Sequence, residues 1–199
     1  MNKRVISVVL ILAVVALFAP QGVVFGVEAD SLKVLVKDEN RICKDIAIER
    51  NIDAMTAYKM MTAQKVPLVD VRTVQEYQFV GHVPMAYNIP NFVWGKWDEQ
   101  KKNFGTDPNP DFLRQFAGLF PDKKATIIIM CRSGHRSGKA IKQLVAAGYT
   151  NLYQMWEGFE GITVSDKEVP SFGKKVVDGW KNKGLPYTWD MDPALVVMK

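Results

Sequence analysis

Cysteine and histidine are both scarce in this chain. There are two of each among 199 residues: Cys43, Cys131, His82 and His135. None of the four stands at ligand spacing from another, so no metal centre is read and no cofactor is implied. Two cysteines permit at most one bridge, which excludes a disulfide framework. Blocks of like charge are missing too. The formal net charge is +5, with lysines and arginines spread along the chain, so no basic tract marks a nucleic-acid binder. The modest basic excess favours small anionic substrates instead. Internal repeats and low-complexity tracts do not occur. Hydrophobic content of 48% and charged content of 24% are those of one globular domain with a sizeable core.

Only one long hydrophobic run exists. Val5 to Ala19 is apolar over 15 residues, with Lys3 and Arg4 before it and Pro20 at its end. As a helix it spans roughly 22 Å, short of the roughly 30 Å hydrocarbon core of a bilayer. Val27 and Ala29 then supply the small residues that a signal peptidase reads. Residues 1–29 are therefore expected to be a cleavable signal peptide, with a retained N-terminal anchor as the alternative. The mature protein is expected to be periplasmic or secreted and free of the membrane. Export implies an oxidising compartment. A permanent Cys43–Cys131 bridge is nevertheless disfavoured, because it would consume a cysteine placed at a strand–helix junction. Cys43 is read as a free thiol, either packed as a small hydrophobe or available for exchange.

Three segments follow the expected signal peptide. Residues 30–50 form a weakly patterned extension, 51–165 the domain proper, and 166–199 a C-terminal helix and tail. Asp53 is a plausible N-cap for a helix carrying Met55, Tyr58, Met60 and Met61. Val66 to Val71 reads as a buried strand, with Pro67 at its start where the ladder can spare a donor. A short helix is expected over Thr73 to Phe79, then turn chemistry at Gly81-His82-Val83-Pro84, then a strand from Ala86 to Ile89. Residues 91–110 hold Phe92, Trp94 and Trp97 in a connection longer than usual; the expectation is an insertion whose aromatics pack back on the domain. Asn109 is read as the cap of a helix with Pro110 in its first turn and Phe112, Leu113, Phe116, Leu119 and Phe120 on its apolar face. Asn151 to Gln154 is a further strand, and Val169 to Lys183 a helix begun at Pro170. Strands alternating with helices indicate an α/β fold: a central parallel sheet with helices on both faces.

The centre of the chain is Cys131-Arg132-Ser133-Gly134-His135-Arg136-Ser137. It follows the apolar run Thr126 to Met130 and precedes a helical pattern with Ala140, Ile141, Leu144 and Val145 on one face and Gly148 as the stop. A buried strand thus ends in a short loop that opens a helix. Such a loop points backbone N–H groups inward at the positive end of a helix dipole and makes an anion site. A cysteine placed there is expected to act as a nucleophilic thiolate. Gly134 permits the tight curvature.

Separated motifs agree with this reading. Leu68-Val69-Asp70-Val71-Arg72, Glu76-Tyr77, Gly81-His82-Val83-Pro84 and Ala86-Tyr87-Asn88-Ile89-Pro90 resemble the first half of a rhodanese domain. The cysteine loop resembles its active-site loop, and Gly148-Tyr149, Gly158 and Gly161 its last strand and turn. The resemblance covers roughly residues 50–165 and implies a rhodanese-like fold and a sulfurtransferase with Cys131 as its persulfide-carrying nucleophile. Arg132, Ser133, Gly134, His135, Arg136 and Ser137 would bind the donor, with Arg136 foremost. Arg72 is read as a substrate contact or as half of a structural ion pair with Asp70, which is otherwise structural. Ser137 is read as the helix cap and as a hydrogen-bond donor to sulfur. The implied donor is thiosulfate or a related small anion, and the acceptor cyanide, a thiol or a protein. A persulfide relay is the alternative function. Cys131 and Arg136 enclose four residues where related phosphatases enclose five, which argues against a phosphatase or arsenate reductase. Met85 and Phe159 stand where the family commonly has glycine, which bears on local backbone geometry.

Overall fold

The computed structural model describes residues 41–197. The expected signal peptide and most of the 30–50 extension lie outside the described residues. After a short 3-10 turn at Ile48–Arg50, the elements are β1 (Asn51–Ile52), α1 (Ala54–Gln64), β2 (Leu68–Asp70), α2 (Val74–Phe79), β3 (Tyr87–Asn88), β4 (Phe92–Asp98), β5 (Asn103–Pro108), α3 (Phe112–Leu119), β6 (Ile127–Met130), α4 (His135–Ala146), β7 (Leu152–Met155), β8 (Ile162–Thr163) and β9 (Lys175–Val177).

Five strands form one parallel sheet in the order β1-β7-β6-β2-β3. The central strand β6 is buried at all four positions. Its alternation divides the core. Ile128 and Met130 face Ala57 and Met60 of α1 and Tyr77 of α2. Ile127 and Ile129 face Phe112 and Phe116 of α3 and Ala140, Ile141 and Leu144 of α4. Each isoleucine, leucine, methionine or phenylalanine among them contributes about 1.5–3 kcal/mol by leaving water. The expected α/β architecture, with helices on both faces, is therefore the observed one.

Side-chain caps set two of the four α-helix starts among the described residues. The Asp53 carboxylate accepts from the Thr56 N–H at 2.6 Å. Thr73 and Glu76 form a reciprocal capping box at α2. Helix α3 departs from expectation: it begins at Phe112, and the Asn109 side chain instead accepts from the Asp111 N–H, outside the helix. Pro110 therefore precedes the first turn.

Two regions differ from the sequence reading. Residues 91–110 form an antiparallel hairpin, β4–β5, in place of a loop folded onto the domain. Trp94, Trp97 and Phe104 are exposed and pack on one another, with Phe104 5.8 Å from Trp94 and 5.3 Å from Trp97. A hairpin satisfies its own backbone, so its aromatics can cluster without reaching the core.

The second correction concerns the C-terminal helix. Residues 169–183 form turns and the strand β9, which pairs with β8. The β-branched pair Val176-Val177 favours a strand, and Pro170 and two glycines interrupt any helical run. Trp180 is buried beside α1, its indole N–H donating to the Pro186 carbonyl at 2.7 Å. The chain then returns to the sheet, where Thr188 bridges His82 and Val196 bridges Asn88.

Candidate active site

Cys131 follows β6 directly, at the carboxyl end of the central strand, where ligands meet open parallel sheets. The loop is held by its carbonyls. The Met130 carbonyl accepts from the Val71 N–H at 2.8 Å, that of Cys131 from Phe159 at 2.8 Å, and that of Arg132 from Glu160 at 3.0 Å. The Ser133 carbonyl accepts from Arg41 Nη1 at 3.0 Å, and that of Gly134 from Gln154 Nε2 at 2.7 Å. Five successive carbonyls, from Met130 to Gly134, are thus bonded to the surrounding scaffold. The Gly134 N–H donates to Cys131 Sγ at 3.2 Å. Helix α4 starts at the next residue and adds the positive end of its dipole.

Two glycines make this closeness possible. Gly134 has φ +96°, and a Cβ there would lie 2.4 Å from the Trp156 carbonyl oxygen. Gly158 has φ +74°, and a Cβ there would lie 2.4 Å from the backbone of Arg132 and Ser133. Neither approach admits a side chain.

Ser137 is fully buried, but Gly134 takes the cap position of α4. The Ser137 hydroxyl donates to the Gly134 carbonyl at 2.7 Å and lies 3.6 Å from Cys131 Sγ. One hydroxyl has one hydrogen, so in this arrangement the thiol donates to Ser137 rather than the reverse. Gln154, which sequence reasoning missed, also donates to the Ser137 hydroxyl, and its Oε1 accepts from the Cys43 N–H at 2.7 Å. A fully buried polar residue in a strand was the available signal.

The arginines divide sharply. Arg72 is fully buried and forks onto Asp70, its Nε and Nη2 both donating to Oδ2 at 2.8 and 2.6 Å. Its Nη2 also donates to the Gly81 carbonyl, and its guanidinium lies over the Phe159 ring. This is the structural ion pair, and the substrate-contact reading of Arg72 is corrected: no part of it is exposed. Arg136 is half-buried and forks onto Glu76 of α2 at 2.6 and 2.5 Å. Burial works against the Glu76 carboxylate, but the hydrogen bonds and charge of Arg136 outweigh it and hold Glu76 below the usual carboxylate range. Arg136 therefore closes the loop, with its charge already matched. Glu76 belongs to the site, though the sequence reading quoted it only as a motif residue. Arg132, by contrast, is exposed and makes no side-chain hydrogen bond among the described residues. His135 is exposed at the first position of α4. His82 is buried, stacked on Tyr77 and bonded to its carbonyl, away from the loop.

Cys43 and Cys131 are both free and both buried, 4% and 1% exposed. The Cys43 Sγ lies 3.8 Å from the Gly138 carbonyl of α4. Burial pushes its thiol up from the ordinary value.

A strand–loop–helix with an inward-facing sulfur at the end of a five-stranded parallel sheet defines the class, and the comparisons agree. The Rhodanese-like domain family model matches residues 53–164. The uncharacterised protein RC0915 of Rickettsia conorii is 34% identical over 140 residues, covering 69% of this chain and 96% of that protein. Thiosulfate sulfurtransferase 16 of Arabidopsis thaliana, a chloroplast protein, is 36% identical over 91 residues, 46% of this chain and 68% of its own. The crystal structure of Rv0390 from M. tuberculosis covers 70% of this chain and 96% of its own, with a TM-score of 0.52 and 28% identity. The chain belongs to the rhodanese-like family. Its family and relatives support a sulfurtransferase-family role.

Proposed function

We propose that the protein transfers sulfane sulfur from thiosulfate, or a related anion, through a persulfide on Cys131. The carrying observation is the Cys131 sulfur directly after β6, with the Gly134 N–H donated to it and the carbonyls of residues 130–134 bonded to the scaffold. The Cys131 thiolate attacks the outer sulfur of thiosulfate. A sulfur–sulfur bond to Cys131 forms, the donor's own sulfur–sulfur bond breaks, and sulfite leaves with the electron pair. The Gly134 amide helps to stabilise the negative sulfur. Cyanide then takes that sulfur as thiocyanate, or a thiolate takes it as an acceptor persulfide, and the Cys131 thiolate returns. The test is sulfite release by Cys131→Ser, which is expected to be lost. Full activity in that variant would overturn the reading.

A second reading is favoured by the exposed Trp94, Trp97 and Phe104 on the β4–β5 hairpin. Here the chain carries persulfide for a protein acceptor and turns over free cyanide slowly. A stable gain of one sulfur on the Cys131 peptide, with slow loss to cyanide, would favour the relay. The four residues between Cys131 and Arg136 still argue against phosphoryl chemistry. The charged start, apolar run and small residues of 1–29 carry the proposal that the protein is exported to the periplasm or beyond. N-terminal sequencing of the protein recovered outside the cytoplasm, expected to begin near residue 30, tests that.

A further inference from the structure

Gln154 lies on β7, paired with Asn51 of β1 on one side and Ile129 of β6 on the other. Leu152, two residues earlier, belongs to the same apolar cluster as Ile141 and Leu144 of α4. Strand alternation puts Gln154 on that face. A fully buried amide in such a place must make its hydrogen bonds inside the protein.

The amide bridges two separate parts of the chain. Toward the extension, Oε1 accepts from the Cys43 N–H at 2.7 Å and Nε2 donates to the Arg41 carbonyl at 2.8 Å. The Cys43 N–H can only donate, so it fixes which end of the amide is oxygen. Toward the sulfur loop, Nε2 meets the Gly134 carbonyl at 2.7 Å and the Ser137 hydroxyl at 3.0 Å. An amide nitrogen carries two hydrogens. With one given to Arg41, one is left for the loop, and it has two oxygens to choose between.

Ser137 faces a choice of its own. Its hydroxyl donates to the Gly134 carbonyl at 2.7 Å and lies 3.6 Å from Cys131 Sγ. A thiol can donate to that hydroxyl, but a thiolate or persulfide anion has no proton to give and only accepts. Turning the Ser137 O–H to the anion takes one donor away from the Gly134 carbonyl. The carbonyl keeps the Gly138 N–H at 3.1 Å, and the Gln154 hydrogen is already in reach to replace the serine.

We infer that Gln154 is a positioning residue for the sulfur chemistry: it holds the Gly134 carbonyl, and so releases the Ser137 hydroxyl to donate to the Cys131 sulfur once that sulfur is negative. No proton changes owner; one O–H rotates. The inference rests on Cys131 as the nucleophile. Arg41 and Cys43 precede the matched family domain, so the extension completes the arrangement by orienting the amide.

The test is the pH profile of Cys131 alkylation by iodoacetamide, with peptide mapping to separate Cys131 from Cys43. The thiolate forms a sulfur–carbon bond and iodide leaves, so no sulfur donor is needed. A hydrogen bond to the anion favours it, so Ser137→Ala is expected to move the midpoint up by about half to one unit. Gln154→Met keeps the side-chain length without the amide and is expected to move it up by about half a unit. Since Gln154 acts through Ser137, the double variant is expected to match Ser137→Ala alone. An unmoved midpoint in Gln154→Met overturns the inference. Shifts that add in the double variant also overturn it, because they mark Gln154 as a support of the loop and nothing more. Gln154→Leu is read in the same way should the methionine variant not fold. Full sulfite release by Cys131→Ser beside the expected midpoints would overturn transfer through Cys131 and leave the hydrogen-bond switch standing.

Discussion

Arg136 and Glu76 are joined through both terminal guanidinium nitrogens and both carboxylate oxygens, across 60 residues of sequence. The residue that closes the sulfur loop is thereby fastened to the first turn of α2, whose capping box uses the same carboxylate. Helix, cap and loop share one charge.

Glu76→Gln should cost about 2 kcal/mol, since it removes a half-buried bidentate partner and leaves Arg136 unmatched. The pH dependence has a definite sign. Glu76 is held below its ordinary value in the folded protein, so its contribution is full above about pH 4.5 and is lost as pH falls through the lowered value. Urea unfolding of both proteins between pH 3 and 7 checks this, on the order of the carboxylate titration range. The gap between them should shrink toward acid.

Gly158→Ala should destabilise by about 2–4 kcal/mol, because its Cβ meets the Arg132 backbone at a left-handed φ. The clash lies under the loop, so sulfite release should fall as well. Thermal unfolding and a turnover assay at a temperature where the variant is folded read the two effects separately.

Met85→Gly should act in the opposite direction. Met85 has φ 65° and is 80% exposed, so it carries backbone strain and little packing. Glycine there should add about 0.5–1 kcal/mol, measured by chemical unfolding, with no change in activity.

Cys43→Ala should retain sulfur transfer and cost about 1 kcal/mol at neutral pH, as a small buried side chain is trimmed. Burial raises the Cys43 thiol above the ordinary thiol value. Its contribution is therefore full below the ordinary thiol range and lost as pH rises through the raised value. The stability difference between the two proteins should narrow in alkaline buffer, read by urea midpoints.

The sheet and its loop were legible because local and global signals coincide there. Ile127 to Met130 is apolar on both faces, Gly134 marks the turn, and Ala140, Ile141 and Leu144 recur at helical spacing. The roles of the arginines were half legible. The Asp70–Arg72 ion pair was one of two readings, since its partners stand two residues apart, whereas Arg136 is matched by Glu76, 60 residues away. Gln154 was hidden for the same reason: its four partners belong to the extension, the loop and α4. In the hairpin, the aromatics of β4 meet Phe104 only through strand pairing. The supposed helix at 169–183 failed because its pattern was read without the pull of β8 beside it.

The segment after β7 has a further consequence. Phe159 and Glu160 hold the loop from below, while their neighbours accept in turn: the Gly158 carbonyl takes the Trp180 N–H and the Phe159 carbonyl the Lys181 N–H. Glu157 ties Gly179 to the start of α1. The sulfur loop and residues 160–197 are therefore expected to open together. Amide hydrogens at Phe159, Glu160, Trp180 and Lys181 would exchange as one cooperative unit, and shortening the chain at the family boundary would take away the floor on which its reactive sulfur rests.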